Sequence, residues 1–95
     1  MAILSWKSKD AEAIFNGKRP GKGFPQDLVR PVRRKLEMLH AATTLGDLKA
    51  PPSNHLEALK DDRKGQHSIR VNRQWRLCFV WTPSGPENVE FTDYH

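Results

Sequence analysis

Two arginines on one hairpin and a terminal Asp-Tyr-His triplet are the residues of this chain whose types and spacing could do chemistry. Between Gln66 and Trp81 side-chain character alternates residue by residue, with a polar break at Asn72 to Gln74, the pattern of a β-hairpin. Successive side chains on a strand point to opposite faces, so Ile69 and Val71 go one way while Ser68, Arg70 and Asn72 go the other. On the return, Trp75, Leu77, Phe79 and Trp81 share the apolar side, and Arg76, Cys78 and Val80 the opposite one. The hairpin therefore has one face to pack and one face that presents arginines to an anion. A last alternating stretch, Glu87 to Tyr94, leads into Asp93, Tyr94 and His95. Chemistry on RNA needs little more. The 2′-hydroxyl is an internal nucleophile, and a protein has to orient it in line, remove its proton, stabilise charge on the phosphorane and protonate the leaving oxygen. Arginine or lysine donors aimed at that developing charge would each supply about 3 to 4 kcal/mol on the scale of oxyanion-hole donors.

Other chemistries lack their signatures. There is no phosphate-binding Walker loop, no glycine-rich dinucleotide fingerprint, no paired CxxC and no HExxH. The four histidines, His40, His55, His67 and His95, are scattered without metal-ligand spacing, so neither a metal nor another cofactor is expected. The 16 Lys and Arg against 11 Asp and Glu give a formal charge of +5 and a pI near 9.7, which favours nucleic acid or an acidic protein as partner. The single cysteine, Cys78, sits mid-strand beside Phe79 and reads as a buried thiol. No membrane association is expected, because no apolar run approaches the length of a spanning helix and the apolar start is too short for a signal peptide. A soluble, cytoplasmic protein folded as one domain over residues 1–95 is the expectation.

The elements that must position these groups can be read in order. Ile3 to Lys7 suggests a short first strand. Ser8 or Asp10 can cap a helix whose Ala11, Ile14 and Phe15 share one side and which Asn16-Gly17 ends. The basic, Gly/Pro-rich stretch Lys18 to Gly23 is irregular. Leu28, Val32, Leu36 and Leu39 form the stripe of a second helix ending near Ala42, with Pro31 marking its start or a bend. Thr43 to Asn54 is an irregular crossing held extended by Pro51 and Pro52. His55 to Leu59 is expected to be a strand, and Lys60 to Gly65 a charged turn into the hairpin. Pro83-Ser84-Gly85-Pro86 turns the chain into the last strand. Two helices ahead of an antiparallel meander predict an α+β fold with both helices on the apolar face of a twisted sheet.

The segments Gly65 to Asn72, Gln74 to Leu77 and Val89 to His95, with the Pro51-Pro52 crossing and the Leu59-Lys60 pair, resemble the HigB toxins of the RelE/ParE superfamily. The resemblance covers nearly the whole chain. It implies a RelE-like fold and a bacterial type II toxin, a metal-independent endoribonuclease that enters the A site of the 70S ribosome and cuts mRNA there by 2′-hydroxyl attack. The products would be a 2′,3′-cyclic or 3′-phosphate and a 5′-hydroxyl. It further implies a HigA-like antitoxin with a helix-turn-helix domain, through which alone the toxin would reach operator DNA. On the matching positions Lys60 and Arg76 would stabilise the scissile phosphate, and Asp93, Tyr94 and His95 would supply proton transfer and base orientation. Glu57 stands where some relatives carry histidine and would be a carboxylate base. Asn72 replaces a basic residue of some relatives, which passes that phosphate contact to Arg70 or Arg73.

Each of these residues also has a plainer reading. Arg76 could be a solubilising strand arginine; if it is instead catalytic, Arg76→Ala is expected to abolish cleavage while costing under about 0.5 kcal/mol of stability, because a strand arginine that faces solvent contributes little to folding. His95 could be a frayed end, Tyr94 a cap on the core edge, His67 a satisfied core histidine, and Trp75 and Trp81 simply core. Arg33, Arg34 and Lys35 read as a solvated helix face that on a ribosome-binding protein would meet ribosomal RNA phosphates. Two other functions share the fold or the charge: a ParE-like inhibitor of DNA gyrase, and an RNA-binding module without catalysis.

Overall fold

The computed structural model describes residues 1–93. Ser8 accepts a hydrogen bond from the Ala11 amide and starts α1 (Lys9–Phe15), whose Asn16 end is followed by Gly17 with a positive φ of 77°. A single 3₁₀ turn, Gln26–Leu28, runs into α2 (Val29–Ala41). Pro31 lies in the first turn of α2, where a missing N–H costs nothing because those amides have no intrahelical partner. Four strands follow: β1 (Glu57–Ala58), β2 (His67–Arg70), β3 (Arg76–Thr82) and β4 (Gly85–Thr92), all antiparallel in the order β1-β2-β3-β4.

The apolar face of the hairpin closes on both helices. Ile69, Leu77, Phe79 and Val89 from the sheet meet Ala11 and Ile14 of α1 and Val32, Leu36 and Leu39 of α2, all of them fully buried. The α+β arrangement expected from two helices and a meander is what forms, with Trp75 and Trp81 half-buried against this core. Around Asn88, whose φ is 53°, the pairing of β3 with β4 shifts between Cys78↔Glu90 and Val80↔Glu87. That bulge lets β4 bend over the helices.

Three expected segments come out differently. Ile3 to Lys7 is extended but is not a strand. It makes one parallel bridge, Trp6↔Val89, supported by Leu4 N–H to Pro86 O at 2.8 Å and Lys7 N–H to Val89 O at 3.0 Å. A regular ladder cannot continue there, because Pro86 has no amide to donate and the Asn88 bulge breaks the register. The segment passes so close that a Cβ on Gly85 would sit 2.4 Å from the Ala2 carbonyl oxygen, so this position has to be glycine. The expected strand His55 to Leu59 shrinks to two residues, since His55 (φ 44°) and Asp61 (φ 56°) turn the chain sharply on either side. The crossing is not extended throughout. It is folded into 3₁₀ turns at Leu45–Lys49 and Pro52–Asn54, the first closed by reciprocal Thr44 and Asp47 caps, with a cis Ala50-Pro51 bond between them. Three hydrogen bonds to Asp47 from Thr43 and Thr44 hold its carboxyl down to about 2. Among the described residues, no helix is long and apolar enough to cross a membrane.

Candidate active site on the arginine face of the sheet

Strand register sets the site. On the face opposite the core, Glu57, Ser68, Cys78 and Glu90 are successive cross-strand partners over β1 to β4, and Arg70, Arg76 and Thr92 form the next row. Arg70 and Arg76 are direct partners, an arrangement of like charges that is unfavourable in a sheet without something to offset it.

The two guanidinium groups separate by using different neighbours. Arg76 donates from Nε to Ser68 Oγ at 2.7 Å and from Nη2 to the His55 carbonyl at 2.7 Å, with Glu57 Oε1 at 3.8 Å. Arg70 donates from Nε to the Asn72 carbonyl at 3.0 Å, and its Nη1 lies 3.5 Å from His55 Nε2. The left-handed turn at His55 therefore serves both arginines, one through its carbonyl and one through its ring. The Glu57 carboxylate faces Arg76, and that side chain is 55% exposed. The result is two fixed cations, each with a guanidinium nitrogen uncommitted among the described residues. Such an arrangement can grip a phosphate with donors already oriented.

A second arginine–carboxylate pair occupies the same face. Arg63, in the 3₁₀ turn Asp61–Arg63, donates from Nη1 to Gln66 Oε1 and to Glu90 Oε1, each at 3.1 Å. Between the two pairs lies Cys78, 1% exposed, whose thiol is pushed up by burial. The buried-thiol reading holds for it.

The sequence-predicted residues do not all gather in one place. Arg76, Glu57 and Arg70 are brought together. Lys60 is exposed at the N-terminal end of the Asp61–Arg63 turn, two residues beyond β1, and Asp93 follows β4, where its Oδ2 accepts from Gln74 Nε2 at 3.0 Å. Arg73 is exposed at the hairpin tip. Tyr94 and His95 lie outside the described residues. The helix run is not one solvated face. Arg33 donates to the Ile14 carbonyl at 3.2 Å, and Lys35 donates to Asn54 Oδ1 at 2.5 Å, its pKa lowered by burial and then by Arg34. Of the three, Arg34 alone is exposed.

Two further expectations change. The arginine face is not uniformly open, since Ser68 is fully buried beneath Arg76 and the Arg76 side chain is only 15% exposed. His67 lies beside Phe79 on the core side, but its buried Nδ1 has no hydrogen-bond partner among the described residues, so the satisfied histidine expected there is not found. His55, Ser68 and Arg63 carry much of the geometry and were missed by sequence reasoning. Ser68 was visible by alternation as a residue of the arginine face, whereas nothing in the pattern announces the left-handed backbone of His55. Among the described residues no three His, Cys, Asp or Glu side chains gather as metal ligands would.

Comparison with known proteins bears on the fold and the family. Residues 4–95 match the family described as the RelE-like toxin of type II toxin–antitoxin system HigB. The chain is 40% identical over 78 residues to Toxin HigB-1 of Vibrio cholerae, covering 82% of each protein. It is 31% identical over 93 residues to Endoribonuclease HigB of Proteus vulgaris, covering 98% of this chain and 99% of that one. On the match over residues 4–95 and the identity to these two relatives, the chain belongs to the HigB-like family of type II toxin–antitoxin toxins.

Proposed function

We propose that this toxin is a metal-independent endoribonuclease that cuts mRNA in the A site of the translating 70S ribosome. The observation that carries the reading is the cross-strand pair Arg70 and Arg76, fixed by His55 and Ser68 and faced by one exposed carboxylate. Arg76 and Lys60 stabilise the scissile phosphate as charge develops on it. Glu57, Asp93, Tyr94 and His95 share the removal of the 2′-hydroxyl proton, the protonation of the leaving 5′-oxygen and the orientation of the base. Arg70 and Arg73 hold the flanking phosphates, and Arg34 contacts ribosomal RNA together with Arg33 and Lys35, which have first to leave their present partners. The name of the Proteus vulgaris relative supports RNA cleavage over gyrase inhibition.

A toxin of this class has a cognate antitoxin. We assign that role to a HigA-like helix-turn-helix protein, which brings the toxin to operator DNA, and we place both in the cytoplasm. The test is a defined mRNA on translating ribosomes: cleavage with 5′-hydroxyl ends is expected, and intact message at stoichiometric toxin contradicts the proposal. His95→Ala is expected to slow cutting, as loss of a group that shares in proton transfer should.

A further inference from the structure

Resting on that nuclease reading, we infer that the cleft behind the hairpin tip is a nucleobase-binding subsite that takes a nucleotide flanking the cut. The cleft has a volume of about 290 Å³ and is walled by Phe24, Trp75 and Phe91. Trp75 and Phe91 stack with ring centroids 4.5 Å apart and an 11° tilt, and Phe24 packs on Phe91 at 4.9 Å. Trp75 and Phe91 remain half-exposed, so aromatic surface faces the cleft. Its rim is polar: exposed Lys22, the Ser8 hydroxyl and the Asp10 carboxylate. Asp10 Oδ1 accepts from the Gly21 amide at 2.7 Å and so fixes the loop that carries Lys22, while Oδ2 has no partner among the described residues.

Aromatic walls with one cation and one spare acceptor match a single-stranded nucleotide: the base stacks, Lys22 meets its phosphate, and Asp10 accepts from a base amino group. Position argues for the same substrate as the arginine face. Trp75 immediately precedes Arg76, and Phe91 immediately precedes Thr92, the cross-strand partner of Arg76. Because side chains alternate, the cleft and the arginines occupy opposite faces of the same end of β3 and β4. An RNA strand turning around that end past Gln74 touches both.

The test uses the full chain carrying Trp6→Phe and Trp81→Phe, which leaves Trp75 as the sole tryptophan, and a short 2′-O-methyl RNA that cannot be cut. Single-stranded RNA is expected to quench Trp75 emission, the same sequence as a duplex is not, and Lys22→Ala is expected to lower the log-log salt slope of binding by about 0.7. Absence of quenching, or an unchanged slope, overturns the subsite. On ribosomes, Lys22→Ala and Trp75→Leu are expected to redistribute the cut positions along a message while Trp75→Phe keeps them; an unchanged distribution in a folded Lys22→Ala protein also overturns it. Failure of the unmodified toxin to cut defeats the nuclease reading instead, and the quenching result then decides the cleft alone.

Discussion

Two arginine–carboxylate pairs lie on the same face of one sheet, and they are built for different purposes. Arg63 and Glu90 meet at 3.1 Å, with side chains 22% and 21% exposed, and Gln66 takes a further bond from the arginine. Charge is balanced there, and the pair is evenly covered. Arg76 and Glu57 stand 3.8 Å apart, the arginine 15% and the carboxylate 55% exposed, with Arg70 directly across the strand. Here positive charge exceeds negative, and the bonds that hold the arginine come from neutral oxygens of Ser68 and His55. A neutral acceptor fixes a guanidinium without neutralising it. An arginine on a polar sheet face is thus poised for a ligand when uncharged groups orient it, and structural when a carboxylate satisfies it.

The comparison breaks altogether if the platform beneath both pairs is lost. Phe79 is fully buried on the reverse of the sheet, and Phe79→Ala is expected to cost about 3–5 kcal/mol, read as a shift in the urea midpoint. A loss under about 1 kcal/mol would show that the core does not hold the two rows in register. The next effect is on catalysis. Arg76→Ala is expected to slow cleavage about 100- to 1,000-fold, the scale for removing one donor to a developing oxyanion. It is also expected to lower stability by about 1–3 kcal/mol, because the fully buried Ser68 hydroxyl loses its partner. That replaces the near-neutral cost expected of a solvent-facing arginine.

Arg63→Ala sharpens the contrast from the other side. Its pair is partly solvated, so a stability loss of about 1 kcal/mol is expected in denaturant titration, with cutting retained. The smallest effect is the one Glu57 has on RNA binding, as distinct from its share in proton transfer. Glu57→Gln removes the carboxylate charge beside Arg76 and is expected to tighten binding of an uncleavable RNA roughly two- to fivefold, as the loss of an exposed charge of the same sign as the RNA should. Cys78 reports on the ground between the pairs: it is expected to resist iodoacetamide at mildly alkaline pH until urea exposes it, since burial keeps its thiol protonated.

The architecture was legible wherever a residue's role follows from periodicity. The Ser8 cap, the Val32-Leu36-Leu39 stripe and the alternation from Ile69 to Phe79 each mark one face of one element, and each packs as its spacing demands. The site was legible only to the level of a face. Alternation puts Arg70 and Arg76 on one side but says nothing of which way a long side chain leans, and Arg76 leans over Ser68 toward β1. The left-handed backbone at His55 ends the 3₁₀ turn Pro52–Asn54, and a histidine in place of glycine or asparagine at such a cap gives no signal of it in the residue pattern. The same limit applies to Lys35, which a helical wheel leaves in solvent and which the buried Asn54 of the folded crossing draws inward. Separating Arg63 from Arg76 required knowing that Glu90 falls beside the first, a fact of strand register across 27 residues.

The most direct measurement is the single-turnover cleavage rate of ribosome-bound mRNA by Arg76→Ala and Arg63→Ala, side by side and at matched folded fraction. The expected outcome is a loss of at least about 100-fold for Arg76→Ala and a rate within about threefold of the unmodified toxin for Arg63→Ala. Equal losses in both variants, or full cutting by Arg76→Ala, would contradict the division of the face into a working arginine and a structural one.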